Sequence, residues 1–426
     1  MLPDPPSHRQ RILRGSTETR HLVKLYFRTA IVYLARLVAI ALVVAANITG
    51  ARSSEPIRVE MSAQHWRMLE ADSMGPKGQA EFHLKEGFPQ GLLVLKAGSA
   101  ELDGLTFRDG TIEYDFKSLA ADMPAVQFRV RGPDKAPDGE EVYERLFGDE
   151  RASNDGIQYA PMIHGFMLWD TYPQCQGPAP LIDGWNHVRV VVSGQRIKVY
   201  VNRSVDPVLS VGNLESGSAE GALRLRGPAI FANLIVSPDK VDRLPPQPEP
   251  DVAAHDPGMV RHWQTSPLTP LLVNHAPGYE EMPRDASAWR DISSERGGLV
   301  NLNRQHTLSD ESAAIGWLRF LVTAQQASTR RLQLGWLGEV WVFVNGKPVA
   351  TAKNFYDPEN ERRDPDGRLS LQNDTMDLPL QAGLNEVAIA LHAGVHDDMR
   401  PQTKYGWGLV ARFPNPTGLT FPAPRS

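Results

Sequence analysis

Residues 110–116 read GTIEYDF and hold two carboxylates, Glu113 and Asp115, one residue apart. On a strand these two side chains project to one face, with Cα atoms roughly 6.5–7 Å apart. Paired carboxyl groups about 5 Å apart are what cleavage of a glycosidic bond with retention requires. The same spacing also arises on any wet strand face. Ile112, Tyr114 and Phe116 make the opposite, apolar stripe, suited to a core. After Asp115 no acid occurs until Asp122, and Lys117 continues the polar face. That environment favours ionised carboxylates over a general acid of raised pKa. His164, in PMIHGFMLWD, is the best lone acid–base candidate, because histidine titrates near neutrality. A lone histidine in an apolar run is more often a satisfied core residue. No G-x-S-x-G elbow, Gly-rich phosphate loop or H-E-x-x-H zinc helix is present.

The stretch Phe128–Gly177 begins like a strand and then shows little periodicity, so a long functional loop is expected there. Its composition is not that of a disordered segment. Arg129, Arg131, Tyr143, Arg145, Tyr159, His164 and Trp169 combine flat apolar rings with groups that hydrogen-bond hydroxyls, the usual composition of a carbohydrate site. The alternative is that the aromatic rings pin the loop to a core. Asp364, Asp366 and Asp374, with Asn373, offer oxygen ligands for a structural calcium. Ordinary turn chemistry accounts for the same residues. No other cofactor is expected.

These residues must be carried by strands. The chain has 426 residues, 34 prolines and 35 glycines, enough for two or three turn-rich domains. A single cysteine, Cys175, excludes an intramolecular disulfide framework and cysteine-based zinc sites. Residues 1–51 pair a basic run with a short apolar stretch, Leu37–Ala46. This reads as an export signal or, uncleaved, a membrane anchor, and places the body in the periplasm, at the cell surface or outside the cell. Their removal takes away seven basic and two acidic side chains, leaving the body more acidic than the −5 of the whole chain. Such a body has no electrostatic reason to bind nucleic acid. The proline-dense stretch Ser237–Pro257 reads as a linker over residues 239–257, between bodies at 52–238 and 258–416, with a tail at 417–426. Both bodies show short alternating runs, such as Val188, Val190 and Val192, then Ile197, Val199 and Val201. Asn345-Gly346 is a strong two-residue hairpin signal. The fold class expected is all-β, with two β-sandwich or jelly-roll domains.

GWNHVRVVVSGQRIKVYVN, with GALRLRGPAIFANLIV after it and GLTFRDGTIEYDFKS before it, resembles the concanavalin A-like, laminin-G-like sandwich over Pro56–Pro238. EVWVFVNGKPVAT with LPLQAGLNEVAIALHAG resembles the galactose-binding-like jelly roll over Arg261–Pro414. The first resemblance implies a fold shared by lectins, glycosidases and adhesion modules, and the second an accessory sugar-binding fold. The Glu113–Asp115 strand lacks the third acid carried by laminarinase-like members of the first fold. The expectation is an exported protein whose partner is a glycan, bound by the first body without catalysis. A glycoside hydrolase using Glu113, Asp115 and His164 is the rival, and a protein-binding scaffold is a further one.

Overall fold

The computed structural model describes residues 55–72, 75–147, 156–173, 175–271, 275–306, 314–356, 361–392 and 405–422. The export segment expected over residues 1–51 lies outside them. The described chain is all-β, and its strands pair into two sandwiches.

One sheet of the first sandwich runs from Leu209–Val211 through Arg196–Val201, Trp185–Ser193, Gly110–Ser118, Ala229–Pro238 and Phe88–Ala97 to Gln79–Lys85. Its partner sheet runs from Phe166–Met167 through Ile157–Ile163, Asp138–Glu144, Ala125–Arg131, Ala222–Arg226 and Ser99–Leu102 to Trp66–Met68. Alternation explains which residues meet between them. Ile112, Tyr114, Phe116, Val188, Val190 and Phe231 from one sheet pack against Val126, Phe128, Val142, Leu223 and Leu225 from the other. The hairpin read from SGQ forms with Ser193 opposite Arg196. Gly194 is required at its tip: its φ is +53° and an added Cβ would collide with the Pro246 carbonyl.

Among its described residues, the stretch expected as a long loop instead carries two seven-residue strands. Asp138–Glu144 and Ile157–Ile163 pair with each other, and nearly every residue in them is buried. A strand covered on both faces loses the apolar–polar alternation by which strands are recognised, and that is why the stretch looks aperiodic.

In the second sandwich, Arg290–Ser293, His262–Thr265, Ala314–Ala324, Gly383–His392, Gly338–Val344 and Lys347–Asn354 make one sheet in that order. Leu299–Asn301, Gly408–Arg412, Ser328–Trp336 and Asp374–Leu380 make the other. Trp263, Trp336, Trp407, Phe320 and Phe413 fill the space between them. Asn345 and Gly346 turn the hairpin with φ of +51° and +78°. Leu419 and Thr420, read from the sequence as tail, pair with the end of Ala314–Ala324.

Residues 55–426 form one compact unit. The connector is hydrogen-bonded to the first sandwich: Gln195 N–H donates to Pro246 O at 2.9 Å and Glu249 N–H to Gly212 O at 2.8 Å. The sandwiches also touch directly. Asp170 N–H donates to Tyr405 O at 2.9 Å, Leu369 N–H to Asp170 O at 3.2 Å, and His164 Nδ1 lies 3.0 Å from Asn303 O.

Candidate functional site

The outer face of the Ala125–Arg131 sheet is polar, yet much of it is buried. Strand register sets two rows across it. Glu141, Gln127, Arg224, Glu101 and Arg67 stand side by side in the first, and Gln158, Tyr143, Ala125, Arg226 and Ser99 in the second. Gln127 Nε2 donates to Glu141 Oε2 at 2.7 Å, and the Arg226 guanidinium donates to the same carboxylate. Arg224 Nε meets Glu101 at 2.7 Å and its NH2 group Asp134 at 3.0 Å, while Arg67 binds both acids from the sheet edge. Hydrogen bonds from Arg67, opposed by weak burial, hold Asp134 below the ordinary carboxylate range.

Over these rows lies a groove of about 190 Å³. Gln127, Met162, Ser99 and Arg226 form its floor, with Lys96, Asp122 and the Gly75–Pro76 segment at its rim. Gly98 lets the walls approach: at φ +63° a Cβ there would strike the Pro76 carbonyl. Arg226 Nε and Gln158 Nε2 are shielded from solvent with no hydrogen-bond partner among the described residues. Buried donors left this way are costly unless something accepts from them. The groove thus presents fixed donors and acceptors, already oriented by their mutual bonds, next to apolar Met162.

Farther along the same face stand rings and guanidinium groups. Arg145 lies 5.7 Å from the Tyr143 ring centre and 5.2 Å from that of Trp169, within cation–π range. Arg145 also donates to Gln158 Oε1 at 2.8 Å. The second sandwich completes this cluster. Tyr356 and Tyr405 have ring centres 5.1 and 5.5 Å from Trp169, and Arg368 sits over that ring at 4.7 Å.

Of the residues selected from the sequence, Tyr143, Arg145 and Trp169 therefore come together. The others do not join them. Arg129 turns into the end of the sandwich at φ +55°, where it donates to Arg108 O, Gly194 O and Asp109 Oδ1 at 2.7–2.8 Å. Tyr159 points inward and donates to Glu140 Oε2 at 2.6 Å. Arg131 is exposed at a strand end. His164 occupies a tight turn at φ +52°, its N–H donating to Asp138 Oδ1 at 2.7 Å.

Glu113 and Asp115 share one face as the alternation requires, but on the outside of the opposite sheet. His187 Nδ1 is 2.7 Å from Asp115 Oδ1, and its Nε2 is 4.0 Å from Glu113. Burial pushes Asp115 up, but hydrogen bonds from His187 and Asn233 outweigh it and hold the carboxyl below its ordinary value. An ionised Asp115 accepts hydrogen bonds; it does not protonate a leaving group. In the second sandwich, Asp374 pairs with Arg363 at 3.3 Å. Asn373 closes its turn by donating to Asp364 O and Arg368 O at 2.8 and 2.9 Å, and Asp366 sits in that turn at φ +56°. Among the described residues no three His, Cys, Asp or Glu side chains gather as a metal site.

Sequence reasoning missed Gln127, Glu141, Arg224 and Arg226. GALRLRG carried a usable signal, since Leu223 and Leu225 alternate with the two arginines and must place both on one face. Asn233 gave none, because it reaches Asp115 from a bulge, at φ +51°.

No protein-family model matches the chain, and no curated protein matches it. Among solved structures it is similar to the carbohydrate-binding module CBM66 from Bacillus subtilis, with 17% identity over 41% of this chain and 96% of that one and a TM-score of 0.29. It is similar to a Bacillus subtilis protein with a galectin-like fold, at 14% identity over 44% and 97% of the two chains and a TM-score of 0.32. It is also similar to the Bacillus licheniformis beta-glucanase, at 9% identity over 44% and 100%, with a TM-score of 0.30. Each likeness extends over less than half of this chain.

Proposed function

We propose that this protein binds a glycan in the groove on the outer face of the Ala125–Arg131 sheet. One observation carries the reading: an outward sheet face is lined by interlocked acid, amide and guanidinium groups that are buried, and Gln127 and Arg226 of that network line the groove. A polar outer face normally lies open to water, and a covered one is normally apolar. A recessed polar face suits a ligand rich in hydroxyl groups, which both donate and accept. The Tyr143–Trp169 cluster supplies flat apolar surface beside it. The glycoside-hydrolase reading finds less support, because Asp115 is held ionised and faces away from this groove. Export is proposed with the binding role, from the basic and apolar character of residues 1–51. A glycan array probed with the full chain and with Gln127→Ala tests the binding role. Selective binding that weakens in the variant supports it, and an array without any bound glycan contradicts it.

A further inference from the structure

A second recess, about 540 Å³, lies at the seam between the sandwiches. Three parts of the chain wall it: Tyr172, Cys175 and Glu215 from the first sandwich, Pro250 from the connector, and Arg296 and Val410 from the second. None of the groove residues takes part. Seams between domains are common places for small-molecule sites, which span about 300–1,000 Å³.

The charges in this wall are unevenly satisfied. Glu249 pairs with Arg196, and Asp251 with Arg261 at 3.3 Å. Behind the wall, Glu295 accepts from Tyr172 Oη at 3.0 Å and from Arg304 Nε at 2.7 Å. Glu215 and Arg296 have no such counter-charge. Arg304 takes only the backbone oxygen of Glu215. Arg296 donates to the backbone oxygens of Glu249 and Pro250, at 2.5 and 3.4 Å. Neither forms an ion pair among the described residues. Burial pushes the Glu215 carboxyl up, opposed by a hydrogen bond from the Asn213 side chain and by Arg304 and Arg296, with Glu295 nearby adding to the rise. A hydrogen-bond acceptor and a planar donor, near enough to influence each other and bound to no opposite charge, thus line one recess. Leu299, Leu369 and Val410 add an apolar patch, against which Tyr172 packs.

We propose that the seam recess is a second binding site, for a short neutral saccharide whose adjacent hydroxyl groups donate to Glu215 and accept from Arg296. A carboxylate serves as acceptor for one hydroxyl and a guanidinium as donor to its neighbour, while sugar C–H faces match the Tyr172 and Val410 surface. An anionic ligand would meet Glu215, Glu249 and Asp251, and a cationic one would meet Arg296.

Cys175, the sole cysteine, lines the recess and serves as reporter. Burial pushes its thiol up to about 12, so alkylation is slow and its rate follows access. The full chain is treated with iodoacetamide in the presence of glucose, galactose, mannose or sucrose, and separately of glucosamine or glucuronate. The expected result is saturable slowing by at least one neutral sugar and none by glucosamine or glucuronate. Protection is lost in Glu215→Gln and in Arg296→Met, each melting as the parent does, and is kept in Gln127→Ala. Should Glu215→Gln fail to fold, Arg296→Met alone decides. No slowing by any of the four neutral sugars, equal protection by glucosamine or glucuronate, or protection that survives in the folded variants overturns the proposal. Retention in Gln127→Ala keeps this test separate from that of the groove.

Discussion

Glu144 is a carboxyl group inside an apolar core, and its strand puts it there. It alternates inward with Val142 and Glu140, and Tyr114 from the opposite sheet donates to its Oε1 at 3.0 Å. Burial, only partly offset by the Tyr114 hydrogen bond, pushes it up to about 8 from an ordinary 4.5. The folded state therefore holds a proton that the unfolded chain releases. The favourable contribution is complete below about pH 4.5 and is lost as pH rises through about 8. Glu144→Gln keeps the shape and removes the titration. Its stability relative to the parent should climb between those pH values by a few kcal/mol in all, at about 1.4 kcal/mol per pKa unit. Urea unfolding across that pH range measures this; parallel curves for parent and variant would contradict it. Face assignments at this scale were only partly legible. Arg129 shares the parity of Gln127 and should face the groove with it, but a bulge between Phe128 and Arg131 turns it inward. Nothing in FRVRG announces that bulge.

Elements with one wet face were legible, and those covered on both sides were not. Arg196–Val201 alternates in burial as in sequence, whereas Ile157–Ile163 is buried throughout and shows no period. The hairpin at Asn345-Gly346 was readable because left-handed backbone at two successive positions needs such residues. Its geometry gives a direct check. Gly346→Ala places a Cβ at φ +78°, 3.1 Å from Tyr279 Cε1. The strain should cost about 1–2 kcal/mol in chemical denaturation. An unchanged midpoint would mean that the turn relaxes without cost.

The whole molecule departs from its sequence pattern most at the seam. Proline density pointed to a spacer between separate bodies, yet residues 240–250 are hydrogen-bonded to the first sandwich and the two sandwiches share side-chain and backbone contacts. The Asp170–Tyr405, His164–Asn303 and Trp169–Tyr356 contacts join residues more than a hundred positions apart, and no local pattern encodes them. Chain cleaved at a protease site engineered between Pro246 and Pro250 should therefore elute as one particle; two separately eluting folded fragments would contradict this. For export, N-terminal sequencing of protein from its native host should begin near Arg52. An intact N-terminus in the soluble cytoplasmic fraction would contradict it. The central claim is the groove, and calorimetric titration of the full chain with the best array glycan tests it most directly. Lys96→Ala and Asp122→Ala alter the rim, where folding is least at stake, and Asp115→Asn alters the opposite sheet. Each rim variant should weaken binding about five- to tenfold, the equivalent of one lost hydrogen bond, while Asp115→Asn binds as the parent does. Unchanged affinity in both rim variants, with loss in Asp115→Asn, would contradict the assignment and move the site to the other face.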